Sequence, residues 1–238
     1  MSEDAAFLAA YDGSPFPRPS LAVDVVLVTV AGDALATLLV RRDEPPQRGR
    51  WALPGGFVAI DESLDAAAAR VLETKAGMRG VFLEQLYTFG APARDPRTRI
   101  VSVAYYALVP RERLRAVPAT IRVPWSGERG GPVELLDEHG RALPTAFDHR
   151  EIVGTAVKRL RGKLAYTPVG YALLPRRFTL LQLQRVHEIV LGTPLNKDSF
   201  RRRMLASGEL EATGAMQEAV DHRPAALYRL RRQGAPHG

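Results

Sequence analysis

The stretch Gly55–Met78, GGFVAIDESLDAAAARVLETKAGM, constrains this chain more than any other. Two glycines open a loop, and Leu64, Ala67, Ala68, Val71, Leu72 and Lys75 then recur at the spacing of one helix face. Asp61 or Ser63 is placed to cap the start, and Gly77 to stop the end. Gly55 and Gly56 read as turn glycines, because tight turns need residues that tolerate positive φ. Upstream, LAVDVVLVTVAG and ALATLLVRR are apolar, β-branched runs joined by the turn-like AGD, a hairpin pattern, and DEPPQRGRWALPGGF is a Pro/Gly loop. GVFLEQLYTFG and IVSVAYYALVP read as further strands, and DHREIVGTAVKRLRGKL as a second helix. Strands mixed with two long helices predict an α/β or α+β domain to about residue 163. AYTPVGYALLPRR, with Pro168 and Pro175, breaks the helical pattern and reads as a linker.

Composition removes whole classes of function. The 238 residues include no cysteine, which excludes a disulfide framework and thiolate metal sites. No run approaches the roughly 18 apolar residues of a membrane helix, and the first residues are acidic rather than basic, so a cytoplasmic protein without a membrane partner is expected. The net charge of +7 is unevenly divided. Residues 1–157 carry 18 Lys or Arg against 20 Asp or Glu, a balance of −2; residues 158–238 carry 15 against 6, a balance of +9. The basic excess is therefore C-terminal, and its pattern is informative. Thr179 is a plausible N-cap for a helix that carries Leu183, Val186, Ile189 and Val190 on its apolar side and ends at Gly192 and Pro194. Asn196 caps KDSFRRRMLASG, in which Phe200, Met204 and Leu205 form the expected buried stripe, with Lys197, Arg201, Arg202 and Arg203 largely outside it. ELEAT and PAALYRLRR read as strands around a polar hairpin that contains His222 and Arg223. Helix, turn, basic helix and basic hairpin make the plan of a winged helix-turn-helix, and double-stranded DNA the expected partner.

The loop and helix of the first stretch resemble the Nudix box, G-x5-E-x7-R-E-U-x-E-E-x-G-U, where U is a large aliphatic residue. Gly56, Glu62, Arg70, Leu72, Gly77 and Met78 stand where the pattern asks, and RGRWALPGGF resembles the usual approach. Three acidic positions depart from it: Val71, Thr74 and Lys75 replace glutamates. In the family those carboxylates fall at i, i+3 and i+4, on one helix face, where they hold magnesium against a diphosphate. Here that face offers a valine, a hydroxyl and an ammonium, so no metal site and little or no hydrolysis are expected. Glu62 and Arg70 read as a loop brace. An enzyme would have to recruit displaced acids such as Glu62, Glu73, Glu84 or Asp95. A further alternative, a basic module for RNA or protein, lacks interleaved exposed aromatics for stacking single strands.

With both halves in view, RWALPGGFV, LDAAAARVL, FTLLQLQRVHEIVLG, FRRRML and HRPAALYRL are similar to the Nudix-related transcriptional regulators of bacterial NAD metabolism, the NrtR family, over most of residues 20–232. The resemblance implies a Nudix-like αβα sandwich at 21–163, a linker at 164–175 and a winged helix-turn-helix at 176–232, between an N-terminal extension at 1–20 and a tail at 233–238. It also implies a bacterial, nucleoid-associated repressor of NAD biosynthesis or salvage genes. Such a protein binds palindromic operators as a homodimer and is released by ADP-ribose, with NAD and its relatives as further ligands. No cofactor is expected. Candidate effector contacts are Arg41, Arg42, Arg50, Arg70 and Lys75 for the diphosphate, Trp51 and Phe57 for stacking, and Gly56 in the loop. Arg41 and Arg42 also read as a solvated strand end, and Trp51 as a core or dimer contact. Candidate DNA contacts are Thr179, Asn196, Lys197, Arg201, Arg202, Arg203, His222 and Arg223, and the linker around Tyr166 and Pro168 is where the two modules would communicate.

Overall fold

The computed structural model describes residues 3–11, 17–164, 167–218 and 224–231. A short exposed helix, α1 (Glu3–Ala10), leads into β1 (Ser20–Ala31), whose burial shows how the sandwich is layered. Successive strand side chains point to opposite faces. Val23, Val25 and Leu27 accordingly pack against one apolar cluster, and Val26 and Val28 against another. A strand with both faces apolar has to lie between two layers.

β2 (Ala34–Thr37) returns antiparallel on β1. The small pair β3 (Val40–Arg41) and β4 (Trp51–Ala52) comes next, and then β5 (Gly55–Phe57), which pairs antiparallel with the first half of β1. The helix expected from the 3.6 period is α2 (Leu64–Ala76), and Ser63 rather than Asp61 caps it, accepting a hydrogen bond from the Ala66 amide. Gly77 ends it in the left-handed region, φ 65°, where a Cβ would be strained. Ala67, Ala68, Val71 and Leu72 cover one face of the sheet. β6 (Glu84–Phe89) and β7 (Ile100–Leu108) form an antiparallel pair, and β7 runs parallel to β1 from Ser20↔Ile100 to Val28↔Leu108. β8 (Ala119–Arg122) and β9 (Glu134–Leu136) complete the order β6-β7-β1-β2-β8-β9, with β5 joined to β1. The second long helix, α3 (His149–Leu164), sets Ile152, Val153, Ala156, Val157 and Leu160 against the other face.

The segment read as a linker is a buried one. Pro168–Leu173 forms a 3-10 helix with Gly170, Tyr171 and Leu173 in the core, and the Tyr171 hydroxyl lies 3.1 Å from a Glu209 carboxylate oxygen. Its prolines stop the α-helix, but its apolar side chains are drawn into the crease between α3 and the C-terminal module. Tyr166 lies outside the described residues. The C-terminal module consists of α4 (Leu180–Leu191), α5 (Lys197–Ala206), β10 (Leu210–Met216) and β11 (Ala226–Leu230). Leu183, Val186 and Val190 belong to the same buried cluster as Leu160 and Leu164, so one apolar core runs from the sheet into this module.

Arg161 of α3 fastens this joint. It is 6% exposed, its Nε donates to the Val190 carbonyl at 2.8 Å, and its Nη1 to the Gly127 carbonyl at 2.9 Å and the Trp125 carbonyl at 3.3 Å. The guanidinium also lies 4.8 Å over the Trp125 ring. A buried cation is costly unless fully bonded. Here the partial negative end of α4 and two loop carbonyls stand in for a carboxylate. Gly192, the left-handed cap of α4 at φ 71°, lies beside it, and a Cβ there would come 3.1 Å from Arg161 Nη2.

Arg161→Met should lower stability by roughly 3 kcal/mol and the melting temperature by about 6–12 °C, since several buried acceptors lose their donor; an unchanged melting curve would show that the joint does not depend on this cation. His187 of α4 is buried against Phe200, and burial, helped by Arg203, pushes its pKa down to about 4. It is neutral in the fold but titrates near 6.5 when unfolded. Its contribution to stability is therefore complete above about pH 6.5 and declines as pH falls toward 4. Urea titrations should show the difference between wild type and His187→Gln changing across that window and constant above it.

Candidate nucleotide site and nucleic-acid interface

The approach to the box helix is built on a buried carboxylate. Asp24 of β1 accepts a hydrogen bond from Ser102 Oγ of β7 at 2.6 Å and lies 3.6 Å from both Arg94 Nη2 and His149 Nε2. Arg94 in turn makes two bonds to Asp148, at 2.8 and 2.7 Å. His149 accepts from the Leu53 amide at Nδ1, so its proton is on Nε2, toward Asp24. Burial holds His149 below the usual histidine range and hence neutral. Gly55 closes over this group. Neither Gly55 nor Gly56 has positive φ; both are in extended backbone paired with β1, which corrects the turn reading. The reason for glycine is space. A Cβ at Gly55 would fall 2.3 Å from Asp24 Oδ1, and one at Gly56 3.2 Å from Val71 Cγ2.

On the box helix, Arg70 grips Glu62 through Nε and Nη2, both at 2.7 Å, and also donates from Nη2 to the Phe57 carbonyl at 2.9 Å. The Arg70 hydrogen bonds hold the Glu62 carboxyl below its usual range. The pair is thus the loop brace that its types and spacing suggested, and the Arg70 guanidinium is largely occupied by it. Val71 is buried beneath the loop, the Thr74 hydroxyl donates to the Arg70 carbonyl at 2.8 Å, and Lys75 is exposed. A divalent cation does not fit this donor set, which supplies no carboxylate. The acids displaced from the box are each in an ion pair. Glu62 is on Arg70, Glu73 on Arg79, Glu84 on Lys163 and Asp95 on Arg97. Among the described residues no group of three or more His, Asp or Glu could hold a metal ion.

The other expected effector residues gather unevenly. Arg41 and Trp51 are opposed on β3 and β4. Arg41 is exposed, bonding the Gly49 carbonyl at 3.3 Å, and Arg50 is exposed near the Thr145 carbonyl. Trp51 is half-buried against the main core, in keeping with a packing role. Phe57 is 49% exposed beside the Arg70 brace. Two residues missed by sequence reading stand with them. The Arg97 guanidinium lies 5.3 Å from the Phe57 ring and 5.9 Å from the Phe147 ring, and Arg42 lies 4.9 Å from the Phe147 ring. An aromatic and an arginine in separate loops leave no periodic signal that could have found them.

In the C-terminal module the turn between α4 and α5 is set by side chains. Glu188 accepts from the Leu195 amide at 2.8 Å and from Gln184 Nε2 at 3.0 Å. Asn196 caps α5, accepting from the Ser199 amide at 3.0 Å. Phe200 and Met204 are buried as expected, but Leu205 is 44% exposed, one position off the stripe. Lys197, Arg201 and Arg202 are exposed on α5, free for a polyanion. Arg203 turns over the Phe200 ring at 5.5 Å. Thr179 differs from its expected DNA role: it is 4% exposed and its hydroxyl is used in a reciprocal capping box with Gln182. It sets the start of α4 instead. The Phe178 and Tyr228 backbones exchange two hydrogen bonds, tying β11 to the base of α4. His222 and Arg223 lie outside the described residues.

The model of the NUDIX domain matches residues 18–123, and that of the NrtR DNA-binding winged helix domain matches residues 170–230. The ADPR responsive transcriptional repressor NtrR of Acinetobacter baylyi is 40% identical over 231 residues, covering 96% of this chain and 89% of the relative. Among solved structures, Shewanella oneidensis NrtR complexed with a 27mer DNA is 34% identical with a TM-score of 0.72, covering 89% of this chain and 93% of that one. A MutT/nudix family protein from Enterococcus faecalis is 27% identical with a TM-score of 0.75, covering 97% and 93%.

Gly55→Ala should cost about 2 kcal/mol or more, because the added methyl collides with a carboxylate that is itself held on several sides. Gly56→Ala, which meets only a movable valine methyl, should cost clearly less. Equal losses in chemical denaturation would remove Asp24 as the reason for glycine at position 55.

Proposed function

Because this chain belongs to the NrtR family of transcriptional regulators, we propose that it is a DNA-binding repressor whose Nudix domain senses ADP-ribose instead of hydrolysing it. The observation that carries this reading is the box helix. It keeps the Glu62–Arg70 brace and the closing Gly77, yet offers Val71, Thr74 and Lys75 where a hydrolase needs carboxylates, and it shares one core with a module that exposes a basic helix. A braced loop without metal ligands can hold a diphosphate and leave it intact.

In this reading Lys75, Arg41, Arg42 and Arg50 supply positive charge for the diphosphate, with Phe57 beside them. The α5 helix enters the major groove, where Arg201 and Arg202 pair with guanine O6 and N7 and Lys197 holds phosphate. Two copies bind a palindromic operator, one half-site each, about one helical turn apart. Nucleotide binding favours an arrangement of the two modules that no longer matches the half-sites, and by linkage DNA weakens nucleotide binding by the same factor. NAD biosynthesis or salvage genes are the proposed targets, which places the protein on the bacterial chromosome.

The test is fluorescence anisotropy on an operator duplex from a neighbouring NAD-metabolism operon, with ADP-ribose and magnesium added and both DNA release and nucleotide consumption monitored. Release with the nucleotide intact is expected, and AMP accumulating without specific DNA binding would overturn the proposal. Arg201→Ala with Arg202→Ala should weaken operator binding by about a hundredfold or more, at roughly 1–3 kcal/mol per lost base contact, while leaving ADP-ribose affinity unchanged.

A further inference from the structure

Phe147 is in an unfavourable backbone conformation that its surroundings enforce. Its φ is 50°, in the left-handed region, where glycine or asparagine would be at ease and a bulky aromatic is not. Among the described residues the only other non-glycine with positive φ is Gln47, at 62°, and the two are bonded: the Phe147 amide donates to Gln47 Oε1 at 3.0 Å across 100 residues of sequence. On the other side, Asp148 is gripped by buried Arg94, and His149 is locked against Leu53. Strain of this kind persists where the surroundings over-determine it, and it points to a side chain whose placement matters.

The ring is held beside two cations. The Arg42 and Arg97 guanidinium carbons lie 4.9 and 5.9 Å from its centroid. Each arginine is anchored by part of its fork, Arg97 to Asp95 through Nε and Nη2, and Arg42 to the Pro46 and Glu44 carbonyls through the same two atoms. In both, Nη1 makes no hydrogen bond among the described residues. Half-exposed Phe57 continues the row beyond Arg97, 5.3 Å from its guanidinium. A flat ring beside two anchored cations with free donors matches a ligand that joins a planar base to an anionic diphosphate.

We propose that Phe147 is the base-stacking platform of the effector site, and that Arg42 and Arg97 clamp the adjoining diphosphate through Nη1. This deepens the nucleotide-sensing reading and rests on it. The ligand class is a purine nucleoside diphosphate ester. Arrival of phosphate oxygens draws the guanidinium groups into charge-assisted hydrogen bonds and leaves a ring face for the base. A cation–π contact at a partly exposed site is weaker than base–aromatic stacking, so the exchange favours the ligand.

Phe147→Gly is the informative substitution, because it removes the ring while relieving the backbone strain. Calorimetry on the full chain should show ADP-ribose and AMP binding weakened by about tenfold or more, the range of lost base stacking. Ribose 5-phosphate, which has no base, should bind wild type and variant alike, and operator affinity without nucleotide should be unchanged. Phe147→Leu, with bulk but no flat face, should lose most of the same affinity. The proposal fails if ADP-ribose affinity in Phe147→Gly stays within twofold of wild type, or if ribose 5-phosphate is lost in parallel, which would make the ring a prop for its loop. Wild type that binds AMP but not ADP-ribose would overturn the effector's identity and leave the platform standing; wild type that binds no purine nucleotide would overturn both.

Discussion

The candidate site depends on one carboxylate, Asp24, in the middle of the central strand. It is buried, and the groups that satisfy it come from three other parts of the chain, Ser102 on β7, Arg94 in the β6–β7 loop and His149 at the start of α3, while the Gly55 backbone closes over it. A buried charge of this kind is tolerable only when its partners are fixed, and so it fixes them. The approach to the box helix, the loop that carries Asp95 and Arg97, and the turn that carries Phe147 all stand in the positions this network allows. Around it, the apolar layers under α2 and α3 supply most of the stabilising burial but no comparable directional constraint.

A second buried ion, Arg161, does for the two modules what Asp24 does for the site. It is bonded to carbonyls at the end of α4 and in the loop between β8 and β9, and it is itself on α3. Gly154 lets that loop approach closely, since a Cβ there would come 1.9 Å from the Gly131 carbonyl oxygen. Together with the buried 3-10 helix at Pro168–Leu173, this makes the connection between sheet and DNA-binding module a packed joint rather than a tether. Displacement of the β8–β9 loop cannot leave the end of α4 untouched without stranding a buried cation. That couples the β8–β9 loop to the module that exposes the basic helix.

Much of this was legible in the sequence. The apolar run of β1, the period of α2, α3 and α4, the caps at Thr179 and Asn196, and the stops at Gly77 and Gly192 are all local signals, and all appear as read, while of the two caps offered for α2 Ser63 is the one used. The Glu62–Arg70 brace was recognisable from residue types at a fixed spacing. The readings that shifted are those in which a local rule met a tertiary demand. Gly55 is glycine for room against Asp24, not for positive φ; Leu205 slipped out of the stripe because α5 turns only Phe200 and Met204 inward; Thr179, also expected at DNA, is buried with its hydroxyl spent on the cap.

By itself, then, the sequence determined strands mixed with two long helices, a degenerate box, and a basic helix behind a helical turn, because periodicity, capping and charge act between residues a few positions apart. Only the tertiary structure decided that β1 would lie parallel to β7, that Asp24 would find Ser102 and His149, that Phe147 would stand beside Arg42 and Arg97, and that Arg161 would bind the end of another module's helix. Those contacts join segments tens of residues apart. Which distant segments meet is set by how whole layers pack, a non-local outcome that leaves no repeating mark along the chain.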